Sequence, residues 1–132
     1  MAGGCSVLVV DDDAVVHLIA SQILTPVGFA VAHAEDGVVA LHRLGEAHFD
    51  LVVLDMLMPN KEGIETLLEI RRRWPRIRVV AISGGGRIDA AELLDWARVA
   101  GAHATLAKPL ERTRLLQAAA EALTADPLAR AG

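Results

Sequence analysis

Five short apolar runs, 6–10, 29–34, 51–54, 79–83 and 104–107, punctuate the chain, and none shows strict alternation of apolar and polar positions. Parallel strands covered on both faces carry this signature, because neither face meets water. Between the runs the apolar spacing becomes helical. Segment 14–24 sets Val15, Leu18, Ile19 and Ile23 on one stripe and stops before Pro26, which bars continuation. Segment 36–47 carries Val39, Leu41 and Leu44, and segment 64–74 carries Leu67, Leu68 and Ile70 before Pro75. Segment 89–100 ends at Gly101, a residue type that closes helices, and 110–123 supplies a fifth helix. Strand and helix alternate five times, which predicts an α/β domain with an open parallel sheet between two helical layers. Right-handed crossovers then bring every strand C-terminus to one edge, where open α/β sheets hold their ligands.

Length and charge narrow this picture. A chain of 132 residues that is 53% apolar fits one domain, expected over 1–124 with a tail at 125–132, and leaves no room for a fused output domain. Thirteen basic against seventeen acidic residues give a net charge of -4, the wrong sign for a role held to nucleic acid or an anionic membrane by charge. The one basic cluster, Arg71, Arg72, Arg73, Arg76 and Arg78, falls at a helix C-terminus, where cations complement the dipole, and reads as a solvated face. A single cysteine, Cys5, allows no internal disulfide. The first residues lack a signal-peptide pattern, and no apolar run approaches the roughly twenty residues of a membrane span, so a cytoplasmic address is expected. His17, His33, His42, His48 and His103 show no metal-ligand spacing, and no zinc site is expected of them.

The residues just past each strand carry the chemistry. Asp11, Asp12 and Asp13 follow the first, Asp55 the third, Ser83 the fourth and Lys108 the fifth, while the second offers Glu35 and Asp36. Carboxylates converging on one edge repel unless a cation holds them, and magnesium favours this oxygen ligation. A hydroxyl and an ammonium aimed at the same place complement a phosphoryl group, so the constellation reads as phosphoryl chemistry on a carboxylate. Asp13 reads as the N-cap of the first helix.

These residues resemble the receiver domain of two-component response regulators, from Ser6 to about Leu123. The resemblance rests on VLVVDDD (7–13), LDMLMPN (54–60) with Gly63, AIS (81–83) and AKP (107–109). It implies a flavodoxin-like doubly wound (βα)5 fold of strand order 2-1-3-4-5. It further implies that Asp55 accepts the phosphoryl group, with Asp12, Asp55 and the backbone carbonyl of Leu57 ligating Mg2+ and Asp11 acting through water. Ser83 would bond a phosphoryl oxygen, Lys108 would pair with Asp55 or its phosphate, and the Lys108–Pro109 peptide would be cis. The donor would be a histidine kinase or a histidine phosphotransfer protein. A downstream protein would dock on the face of the fourth helix, fifth strand and fifth helix, bordered by Leu94, Trp96, His103 and Thr105. Magnesium-dependent self-phosphorylation with slow autodephosphorylation is the activity expected, not conventional enzyme turnover.

The chain departs from the family pattern in three places. Thr105 stands where members often carry an aromatic switch residue, so any output must come from the loop after Ser83, with Gly84, Gly85 and Gly86. Ser83 and Lys108 are spaced a few residues wider than the pattern. Leu57, two after the acceptor, offers no group to activate water, which predicts a long-lived acyl phosphate. Two rival readings stay open. DDDAV (11–15) also fits the nucleophile motif of haloacid-dehalogenase-like phosphatases, although no later acidic pair follows Lys108. A receiver fold that binds partners without phosphorylation is the other.

Overall fold

In a computed structural model that describes residues 4–57, 62–84 and 90–126, the strands are β1 (Ser6–Val10), β2 (Ala30–Ala34), β3 (Leu51–Asp55), β4 (Arg78–Ser83) and β5 (Ala104–Ala107). The helices are α1 (Ala14–Leu24), α2 (Gly37–Glu46), α3 (Glu62–Arg73), α4 (Ala90–Val99) and α5 (Arg112–Thr124), with a 3-10 turn at Thr25–Val27. All strand pairs are parallel and the order is β2-β1-β3-β4-β5, as the resemblance implied. Observed boundaries differ from the expected ones by one or two residues. Asp36 is an example: it caps α2, its Oδ1 accepting the Val39 N–H, and does not begin the helix itself. Of the expected tail, 127–132 lies outside the described residues, as do Met58, Pro59, Asn60, Gly85, Gly86 and Asp89.

In-register pairing sorts alternate residues onto two faces. Leu8, Val10, Val52, Leu54, Val79 and Ala81 pack with Ala40 and Leu44 of α2, Leu67 and Ile70 of α3 and Leu93 and Ala97 of α4. Val7, Val9, Leu51, Val53, Val80 and Ile82 pack on the other side with Val16, Ala20 and Ile23 of α1 and Leu115, Ala118 and Ala122 of α5. Burial on both sides is why the strands read as unbroken apolar runs. Among the described residues, no helix is long and apolar enough to cross a membrane.

Three expectations about the helices are corrected. In α1 the buried stripe is Val16, Ala20, Ile23 and Leu24, whereas Val15 and Leu18 are 58% and 59% exposed. Both stripes are apolar, so hydrophobicity could not phase the helix; the small Ala20 lets the observed stripe approach the sheet. In α3, Leu68 points to solvent, and Thr66 takes the buried position beside Leu67. In α4, Leu94 is buried in the core and does not border a partner face.

The arginine cluster is tied down locally. Arg71 donates to the Pro75 carbonyl, Arg72 lies 2.6 Å and Arg73 3.7 Å from Glu69, and Arg73 stacks 4.4 Å over the Trp74 ring. At the same edge Asp50 accepts from the Ser6 N–H, and that bond holds its carboxyl below the usual range, aided by His48 and Arg78 despite partial burial.

Candidate functional site

The C-terminal edge of the sheet brings the expected residues together. One carboxylate oxygen each of Asp11, Asp12 and Asp55 lie within 4.8 Å of one another. Asp11 and Asp55 are buried and Asp12 is exposed at the mouth. Lys108 Nζ enters from the end of β5, 2.9 Å from Asp11 Oδ2 and 3.6 Å from Asp55 Oδ2. The peptide joining Lys108 to Pro109 is cis. The other oxygen of Asp55, Oδ1, accepts the Leu57 N–H at 3.1 Å. Ser83 is fully buried, and its hydroxyl has no hydrogen-bond partner among the described residues.

Local sequence chemistry makes this convergence possible. Asp13 Oδ1 caps α1 by accepting the Val15 N–H, and the Asp13 N–H donates to Asp11 Oδ1 at 2.8 Å. Two glycines permit close approaches around the pocket. A Cβ on Gly63 would collide with the Met56 backbone carbonyl, and one on Gly84 would lie 2.6 Å from Lys108 Cβ. Any larger residue at 84 would therefore push the lysine stem from its place.

The charges are strongly coupled. Burial pushes the Asp55 carboxyl up to about 6, and neighbouring Asp11 and Asp12 add to this, while the Leu57 N–H and Lys108 oppose it. For Lys108, desolvation pulls the ammonium down, but the hydrogen bond to Asp11 and the charges of Asp55 and Asp11 win, so its pKa is raised. The pocket thus holds more negative charge than one lysine neutralises. A hard divalent cation fits this donor set of carboxylate oxygens. A buried hydroxyl lacking a partner costs about 1–3 kcal/mol, and it suits an incoming phosphoryl oxygen that would accept from it.

Three features escaped the sequence reading. His17 Nε2 lies 2.7 Å from the Asp11 carbonyl oxygen, and its Nδ1 lies 2.9 Å from His33 Nδ1. Spacing in sequence gave no sign of this pair. The register that sets His33 beside Val9, on the α1 side of the sheet, could have given it. Thr105 is held by α4, its hydroxyl accepting from Arg98 at 2.7 Å. His103, expected at a partner face, instead accepts the Val79 N–H on its Nδ1, at the opposite edge of the sheet from the acidic pocket.

Comparison with known proteins agrees with this geometry. The response regulator receiver domain family matches residues 7–120. The chemotaxis protein CheY of Bacillus subtilis strain 168 is 35% identical over 85% of this chain and 92% of its own length. The transcriptional regulatory protein ZraR of Klebsiella oxytoca is 38% identical over 89% of this chain, which spans only 26% of that relative. A CheY-like receiver domain structure from Methanospirillum hungatei JF-1 superposes with a TM-score of 0.80 at 28% identity, covering 90% of this chain and 93% of the other.

Proposed function

This chain belongs to the response regulator receiver domain family, whose role is phosphoacceptor signalling, and from that premise we propose that it takes a phosphoryl group onto Asp55 from a histidine kinase or histidine phosphotransfer protein. The observation that carries this reading is the convergence of three carboxylates and an ammonium beside a buried hydroxyl that lacks a partner. Asp55 Oδ1 is engaged by the Leu57 N–H, which leaves Oδ2 as the attacking oxygen. A bond forms from Oδ2 to phosphorus as the phosphorus–nitrogen bond of the donor histidine breaks, and the donor imidazole leaves with the electron pair. Lys108 stands beside Oδ2 to stabilise the transferred charge, and Ser83 donates its hydroxyl to a phosphoryl oxygen. Asp11, Asp12, Asp55 and the Leu57 carbonyl would hold Mg2+, with Asp11 acting through water. When bound, the ion neutralises the carboxylates and the phosphoryl oxygens. Leu57 supplies no base for hydrolysis, so the aspartyl phosphate persists.

Intact-protein mass tests this directly. Incubation with magnesium and acetyl phosphate is expected to add one phosphoryl group, which is lost in Asp55→Asn and without the metal. An adduct that survives Asp55→Asn would favour phosphatase-like chemistry at Asp11 or Asp13, and no adduct would favour a phosphorylation-independent binding module.

The exposed pair Val15 and Leu18 lies one turn apart at the start of α1, next to the acidic turn, and offers an apolar contact for the phosphodonor protein. Val15→Asp with Leu18→Asp is expected to slow transfer from a phosphohistidine protein by about tenfold, a typical cost for a lost apolar contact. Uptake from acetyl phosphate should be unchanged. The downstream target would use α4, where Trp96 and Val99 are exposed, together with β5 and α5.

A further inference from the structure

His17 and His33 form a directed chain that ends on the backbone of the acidic turn. A carbonyl oxygen can only accept, so His17 Nε2, 2.7 Å from the Asp11 oxygen, must carry a hydrogen and donate it. A neutral imidazole protonated at Nε2 has a bare lone pair at Nδ1. Of the two facing Nδ1 atoms, 2.9 Å apart, one donates and the other accepts: His33 donates when His17 is neutral, and His17 donates when it is charged. The two rings meet edge to face, with centroids 4.7 Å apart and planes at 87°. Burial, together with the charges of His17 and Arg43, holds the His33 pKa below its ordinary value, so of the two rings His33 is the one kept neutral.

The chain of bonds completes the restraint of Asp11. Its N–H donates to the Ala34 carbonyl, its Oδ1 accepts from the Asp13 N–H, its Oδ2 pairs with Lys108, and its carbonyl accepts from His17. That carbonyl belongs to the peptide unit between Asp11 and Asp12. Its orientation sets the direction in which Asp12 leaves the strand. Asp12 is exposed and faces two other carboxylates, so repulsion would swing it outward if the peptide could turn.

We propose that His17, oriented by His33, is a positioning residue that clamps the peptide between Asp11 and Asp12 and holds the acidic turn in the form that takes a divalent cation. The inference rests on the metal-binding reading of the pocket given above. Groups that orient metal ligands from outside the coordination sphere typically contribute a factor of about 10–100 to affinity.

The test is Mg2+ titration by calorimetry on the full chain, with thermal melts in parallel. Gln can place an amide N–H where His17 Nε2 stands, and Asn can place one where His33 Nδ1 stands. His17→Leu is expected to weaken Mg2+ binding by about tenfold, while His17→Gln retains most of it. His33→Phe should lose part of the affinity and His33→Asn should recover it. In 15N spectra of the metal-free wild type, His17 Nε2 should carry a hydrogen bonded to the Asp11 carbonyl oxygen. A His17→Leu protein with wild-type Mg2+ affinity, even if less stable, would overturn the proposal, as would a His17 Nε2 without a hydrogen. Asp12→Asn separates the two levels of inference. If wild type and Asp12→Asn both fail to bind Mg2+, the metal reading falls and the His17 role falls with it. If wild type binds, Asp12→Asn does not and His17→Leu matches wild type, only the role of His17 is lost.

Discussion

Replacing Asp55 by asparagine is expected to make the metal-free protein more stable while abolishing its uptake of a phosphoryl group. The two effects have one cause. Asp55 sits almost fully buried next to Asp11 and Asp12, so its ionised form is disfavoured and its carboxyl titrates near 6 instead of 3.8. Between about pH 4 and pH 6 the folded protein keeps a proton that the unfolded chain has released. Stability therefore falls as pH rises through this window and stays low above it. The shift corresponds to about 3 kcal/mol at most, and water at the pocket mouth reduces this toward about 2 kcal/mol. Asparagine carries no charge to desolvate, and its carbonyl oxygen can still accept the Leu57 N–H.

Chemical denaturation of both proteins at pH 8 and pH 3.5 without metal checks this expectation. The variant should be the more stable at pH 8, and the difference should shrink toward zero at pH 3.5. Magnesium should close the gap, because ligand at a hundred times its Kd stabilises the native state by about 2.7 kcal/mol and wild type binds it better. Equal stability of the two proteins at pH 8 would show that Asp55 is not under electrostatic strain. Such strain is what prepares a carboxylate for a cation and a phosphoryl group.

What the sequence made legible follows from which physical signals are local. Strand positions came within a residue or so because burial on both faces leaves an unbroken apolar run, as in 51–54. The site residues were legible because parallel topology sends every strand end to one edge, which brought Asp11, Asp12, Asp55, Ser83 and Lys108 to one place without any knowledge of side-chain geometry. The phase of α1 was not legible. Val15 and Leu18 compete with Val16, Ala20 and Leu24 as apolar stripes, and only docking against Val7 and Val9 decides between them. The contact between His17 and His33 depends on the β1–β2 register, which composition and spacing do not encode. Thr105 signalled only that an aromatic switch is missing. Its bond to Arg98 appears once α4 is laid over β5. That bond ties the sheet edge next to Lys108 to the helix that exposes Trp96 and Val99.

Lys108→Met should have an equally large effect, and it separates the structural from the chemical duty of the site. Lys108 Nζ is the one cation the structure places against the buried Asp11 and Asp55 carboxylates among the described residues. Methionine keeps an unbranched apolar stem but leaves Asp11 buried without its partner at 2.9 Å. Removing one member of a buried pair typically costs about 3 kcal/mol or more, because the remaining charge is left uncompensated. Adding Asp11→Asn to Lys108→Met removes that charge, so the double variant should recover much of the lost stability, and the coupling energy should be read from the full double-mutant cycle. Phosphoryl uptake from acetyl phosphate should behave differently. Loss of an ammonium aimed at the transferred group should slow uptake by about a hundredfold, the usual cost of one missing electrostatic donor, and Asp11→Asn cannot restore it because no cation returns beside Asp55 Oδ2. If stability and uptake recover together in the double variant, Lys108 serves only to neutralise Asp11. If stability recovers and uptake stays well below that of Asp11→Asn alone, measured with Mg2+ in excess, its ammonium acts on the phosphoryl group itself.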